Sequence, residues 1–163
     1  MSNNNRILQN NHVVTLRQAS LHLNVSMPKV HTALSEMGCR LLPADRVDLS
    51  DVWRRMWRID GVPLFHISAM EAQLNTVDQV AEMMGTTSQT IRKAGNSRDP
   101  KWNLPEHYDL GPRMRRYLPM HIEAWRRSSE LEPWLQRRLG PLSSSGMVAR
   151  APRNQFCGVQ MTN

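Results

Sequence analysis

The 163 residues predict a mainly α fold with small β wings, laid out as two tandem winged helix-turn-helix units plus a C-terminal helical extension. Three observations carry that prediction. The chain resembles itself at a constant offset of 61 residues, each copy holds paired helix-start and helix-stop signals, and each copy is followed by a turn-rich segment that runs into another helix.

The first copy is Thr15–Val30 and the second Thr76–Ile91. Thr15 and Thr76 are each followed three positions later by glutamine, Gln18 and Gln79, the capping-box pattern in which side chain and backbone satisfy each other's free groups at a helix start. A small pair comes next, Ala19-Ser20 and Val80-Ala81, then an apolar residue, Leu23 and Met84, spaced to line one helical face. Asn24 and Gly85 then stop the helices, because these residue types adopt the left-handed conformation most readily. Ser26 and Thr87 are expected to cap a second helix, Pro28 is tolerated in its first turn, and Val30 and Ile91 point back to the core. A capped helix pair of this kind is also compatible with ordinary helical hairpins. The segments downstream of the two pairs favour a winged arrangement.

After the first pair, Gly38–Val47 reads as a short β-hairpin; after the second, Asp99–Tyr117 is longer and centred on Gly111-Pro112. Closing helices are expected near Ser50 and Pro119. Matching Arg46 with Arg116 gives an offset of 70, whereas matching Trp53 with Trp125 gives 72, and the first is preferred. The expected organisation is a flexible start at 1–12, a first, degenerate unit at 13–60, a linker at 61–75, a second unit with its helical extension at 76–139, and a flexible tail at 140–163 that includes Arg150 and Arg153. Trp53 and Trp57, four apart, share a helical face and read as core. Ala124, Trp125, Leu131, Trp134, Leu135 and Leu139 form the apolar stripe of the extension, with a break near Pro133, available either to pack between the units or to form a homodimer.

The net charge of +7 favours an anionic partner, with nucleic acid ahead of acidic membrane. It is spread thinly: residues 1–75 carry 8 basic and 6 acidic side chains, residues 76–139 carry 11 and 8, and the tail two arginines. The position of each cation therefore matters more than the total. Cys39 and Cys157 lie far apart without a Cys-x-x-Cys spacing, so neither a zinc site nor a disulfide framework is expected. The absence of a signal-like apolar run or a membrane-spanning stretch predicts a cytoplasmic protein, nucleoid-associated if it binds DNA.

Thr76–Lys93, followed by Leu110-Gly-Pro-Arg-Met-Arg-Arg-Tyr117 and His121-Ile-Glu-Ala-Trp125, resembles the excisionase and MerR-type winged helix of phages and mobile elements over about 50 residues. The first copy is similar but departs from the pattern at Pro28 and in its shorter wing. The resemblance implies sequence-specific recognition of double-stranded DNA, with the second helix in the major groove and the wing on a neighbouring groove or the backbone.

With Ile91 turned to the core, Thr87, Ser88, Gln89, Arg92 and Lys93 become the candidate reading residues. Gln89 suits adenine, Arg92 guanine or phosphate, and Thr87 or Ser88 a phosphate near the helix amino end. Around the wing, Arg113 and Arg115 are expected on one face as phosphate or minor-groove contacts, with Met114 opposite. Arg116 is either a further contact or an internal residue paired with an acid such as Glu123. Lys29, His31 and Thr32 are the corresponding candidates in the first unit, with Arg40 and Arg46 on its wing.

No phosphate-cradling glycine loop, nucleophile elbow or metal-ligand cluster appears in the sequence, and Asp45, Asp48 and Asp51 read as wing and helix-cap residues; no cofactor is implied and catalysis is not expected. Within DNA binding, the expected roles are a transcriptional regulator or an excisionase-like recombination directionality factor. The alternatives are a small-terminase-like recognition and assembly protein and a protein-binding decoy that keeps the fold.

Overall fold

The computed structural model describes residues 12–97, 104–127 and 129–139. The expected flexible start (apart from His12), the tail with Arg150 and Arg153, Cys157, part of the second wing and the side chain of Leu139 lie outside the described residues. Among those described the chain is mainly helical with two small antiparallel sheets, and no helix is long and apolar enough to cross a membrane.

The same element order occurs twice, with one additional strand in the second copy. Strand β1 (Val13–Thr15) leads into α1 (Leu16–Leu23) and α2 (Met27–Glu36), then β2 (Arg46–Asp48) and α3 (Leu49–Trp57). After a 3-10 turn (Leu64–His66) and α4 (Ile67–Glu71), the order repeats as β3 (Asn75–Thr76), α5 (Val77–Met83), α6 (Ser88–Asn96), β4 (His107–Asp109), β5 (Arg115–Tyr117) and α7 (Pro119–Arg126). The last helix described is α8 (Pro133–Leu139).

Local chemistry explains these boundaries. Both capping boxes form: Thr15 accepts from Gln18 N and Thr76 from Gln79 N, while each glutamine side chain accepts from its threonine's backbone N–H. Asn24 and Gly85 both take the left-handed conformation, at φ 54° and 60°. Thr87 caps α6 by accepting from Thr90 N. Ser26 does not repeat this: it stands at the N-cap of α2 with the right backbone angles, but its side chain makes no capping bond. Asp48 caps α3, and Asp51 pairs with Arg54 and Arg55, which gives these acids local structural roles.

Sheet register settles how the copies align. Thr15 lies opposite Arg46 and Thr76 opposite Arg116, so the offset grows from 61 to 70 between the first strand and the last. Under the larger offset Val52 corresponds to Ile122, both buried, and Trp53 and Trp125 are not counterparts.

Three expectations change, and one that was left open, the packing of the extension, is decided. The first unit has no hairpin of its own beyond a single bridge between Leu42 and Arg46, because only residues 40–42 separate the end bonds of α2 at Cys39 from the turn through Ala44 and Asp45. Met84 is exposed rather than buried, since α5 ends at Met83 and the chain turns away. Segment 61–75 holds a turn, a helix and the fully buried Met70 and Leu74, so it packs as core rather than spanning as a tether. The extension splits into α7 and α8, and its Leu131 and Leu135 are buried in the chain's own core.

That core is shared. One cluster joins Leu23, Val30, Leu34, Trp53 and Trp57 of the first copy to Leu110, Leu118, Ala124, Leu131 and Leu135. A smaller one, Val77, Val80, Ala81, Ile91, Tyr117 and Ile122, seats α5 and α6. Trp53 orients itself by donating from Nε1 to His22 Nε2 at 3.2 Å, while His22 Nδ1 donates to the Ala72 carbonyl at 2.9 Å. His22 is thereby neutral, and burial lowers its pKa.

Candidate nucleic-acid interface

Helix α6 is amphipathic in the sense that groove reading requires. Ile91 and Ala94 are buried on one side, and Gln89 and Lys93 are exposed on the other. Arg92 is half-buried beside them.

The amino end of α6 differs from expectation. Thr87 is occupied as the cap, and Ser88 donates from its hydroxyl to the Asp78 carboxylate. A helix amino end attracts anions through its free amides, but here Asp78 already supplies the negative charge and repels a phosphate. Thr87 and Ser88 are therefore corrected from phosphate contacts to structural residues. Asp78 was legible as an acid in the first turn of α5, but its reach across the turn depends on the angle between α5 and α6.

The β4–β5 hairpin changes most. Leu110 is buried in the shared core, and Tyr108 and Met114 pack against it, so the hairpin lies against the first copy. Arg113 sits in the turn at φ 64° and is exposed. Arg115 and Arg116 are successive strand residues and so point to opposite faces. Arg115, its side chain 11% exposed, bonds Asp109 at 3.1 Å, Asn96 Oδ1 at 2.7 Å and the Arg92 carbonyl at 3.4 Å.

Arg116 is 6% exposed and turns the other way. It donates from Nε to the Leu23 carbonyl at 2.8 Å and from its terminal nitrogen to the Asn24 carbonyl at 2.6 Å. Burial lowers its pKa, and its bonds run to carbonyl oxygens rather than to Glu123, which pairs with Arg126 and Arg127. Arg115 is thus corrected from a DNA contact to an internal tie, Arg116 takes the internal alternative with carbonyls in place of an acid as partners, and Arg113 keeps the exposed position expected of a wing residue.

Gly95 makes room for this arrangement. A Cβ there would stand 2.6 Å from the Arg115 guanidinium, and Tyr117 and His107 lie just beyond. A glycine inside a helix costs about 1 kcal/mol relative to alanine, so its presence was the one sequence signal of a close approach.

In the first copy, Lys29, His31 and Thr32 are all exposed on α2 beyond the buried Val30 and Ala33. Arg40 and Arg46 are exposed too, Arg46 donating to the Pro43 carbonyl at 3.1 Å. The part played by Asn24 has no signal in the sequence: its amide donates to the Leu74 carbonyl and to Gln79 Oε1, both at 3.1 Å, and so joins one capping box to the helix end of the other copy.

No protein-family model, curated protein or solved structure matches the chain.

Proposed function

We propose that this chain binds double-stranded DNA site-specifically as a tandem winged helix-turn-helix protein, with α6 as the principal reading helix. The observation that carries the reading is the recurrence of one unit in one register. Capped helix, left-handed turn, second helix, strand and closing helix occur twice, and both second helices turn an apolar side inward and a polar side outward.

Gln89 and Lys93, with Arg92 at their margin, form the reading face of α6, and Gln89 has the donor–acceptor pair that matches adenine in the major groove. Arg113 supplies a backbone contact from the hairpin turn. Lys29, His31 and Thr32 make the contribution of α2, with Arg40 and Arg46 beside it. The resemblance to excisionase and MerR-type proteins supports a role in a phage or mobile element, as transcriptional regulator or recombination directionality factor.

Selection from a random duplex pool at fixed salt, followed by footprinting, tests the reading. It predicts an enriched motif, and a change of base preference within it when Gln89 is replaced by alanine.

One observation favours an assembly role as a second reading. Leu64 and Phe65, 65% and 97% exposed, present apolar surface of a kind that protein partners cover. A solution mass far above that of a dimer would support it. Dimerisation through the extension would have to use surface other than Leu131 and Leu135.

A further inference from the structure

Two neighbouring arginines tie two helix ends together. Arg115 reaches the carboxyl end of α6, at the Arg92 carbonyl and the Asn96 side chain. Arg116 reaches the carboxyl end of α1, at the carbonyls of Leu23 and Asn24. Helix carboxyl ends carry unsatisfied carbonyls and partial negative charge, so a guanidinium meets both needs at once. Because the two side chains leave opposite faces of one short strand, β5 stands between the reading helix and the first copy as a rigid bar.

Further bonds reinforce the joint. Leu74 N donates to the His22 carbonyl at 2.8 Å, and Asn24 returns two bonds to Leu74 and Gln79. The joining segment is itself core, through Ile59, Met70 and Leu74. Nothing in this arrangement resembles two readers on a slack tether.

We infer that the Arg115–Arg116 step locks the two helix pairs into one reader, so that the chain recognises a composite duplex site whose two halves have a single permitted spacing. The inference rests on the DNA-binding reading and specifies its target class. Arg116 is here a positioning residue, acting through the α1 carboxyl end.

The test uses the full chain and the duplex obtained by random-site selection, with about 5 or about 10 base pairs inserted between the halves. The first insertion turns one half to the opposite side of the duplex. The second restores the side but moves that half by about 34 Å. A locked reader loses roughly tenfold or more in affinity with either insertion, falling to the affinity of the half bound by α6 alone. Wild-type affinity for the 10-base-pair insertion, or equal affinity for the single half, overturns the inference while leaving DNA binding intact. Failure to enrich any duplex overturns the DNA-binding reading and the inference with it.

Arg116→Met and Arg116→Lys, checked for native circular dichroism, are expected to discriminate less between spacings, since lysine lacks the planar fork that spans two carbonyls. A folded Arg116→Met chain that keeps wild-type spacing discrimination overturns the role given to this residue. The insertion arm uses wild-type protein and decides the matter even if neither variant folds.

Discussion

Arg116 holds a buried charge against carbonyl oxygens, and its removal would take the donor from two helix-end acceptors, the Leu23 carbonyl in a buried bond and the Asn24 carbonyl in a part-buried one. Arg116→Met is expected to cost about 2–4 kcal/mol in denaturant unfolding, whereas Arg113→Ala, at an exposed turn, should cost little. Gly95→Ala tests the same joint from the other side: helix propensity alone would stabilise by about 1 kcal/mol, and the net gain should fall short of that because the end of the Arg115 side chain has to shift to admit the methyl group. His121 gives the molecule an acid sensitivity. Buried, with Nδ1 unpartnered among the described residues, it has its pKa lowered to about 4 by desolvation. The unfolded chain, with an ordinary histidine near 6.5, binds the proton first, so stability is fully present above that value and falls as pH drops towards 4. The loss is on the order of 3 kcal/mol, with His22 acting in the same direction. Thermal melts between pH 7 and 4 should show the decline, and His121→Phe should flatten it. Little of this was readable from the sequence: alternation offered Arg116 as an internal residue but gave it an acid as partner, and it grouped Arg115 with the exposed Arg113.

Elements were more legible because their signals are local. A threonine with glutamine three residues on, and an asparagine or glycine at the stop, mark α1 and α5 within a residue or so, since both partners of each bond lie within one turn. Thr15→Ala and Thr76→Ala should each lower stability by about 1 kcal/mol, and Ser26→Ala by less, because Ser26 makes no capping bond. Chemical denaturation of the three variants measures the difference. The first unit departs from the expected hairpin because the end bonds of α2 run to Cys39 and the turn at Ala44 and Asp45 follows closely, which leaves only residues 40–42 for a partner strand. The amino end of α6 departs for a related reason, as Asp78 meets Ser88 only once α5 and α6 are crossed.

The whole molecule departs furthest from the expected pair of modules on a linker. With Leu110, Leu118, Leu131 and Leu135 in the core of the first copy, neither half keeps its apolar surface covered alone. Calorimetry should therefore give one cooperative transition, and two resolved transitions would show that the copies fold separately. Residues 61–75 misled because a stretch between repeats that opens on Gly61 and Pro63 reads as a tether, although eight of its fifteen residues are apolar; which of them bury, Met70 and Leu74 rather than Leu64 and Phe65, depends on what packs against them.

If α6 reads duplex DNA, the affinity of the Gln89→Ala, Arg92→Ala and Lys93→Ala chains for the selected duplex at one salt concentration will show it. Loss of a base-edge contact should cost about 1–3 kcal/mol on the selected site and leave nonspecific duplex nearly unchanged. Undiminished affinity of all three for the selected site would mean that α6 is not the reading helix.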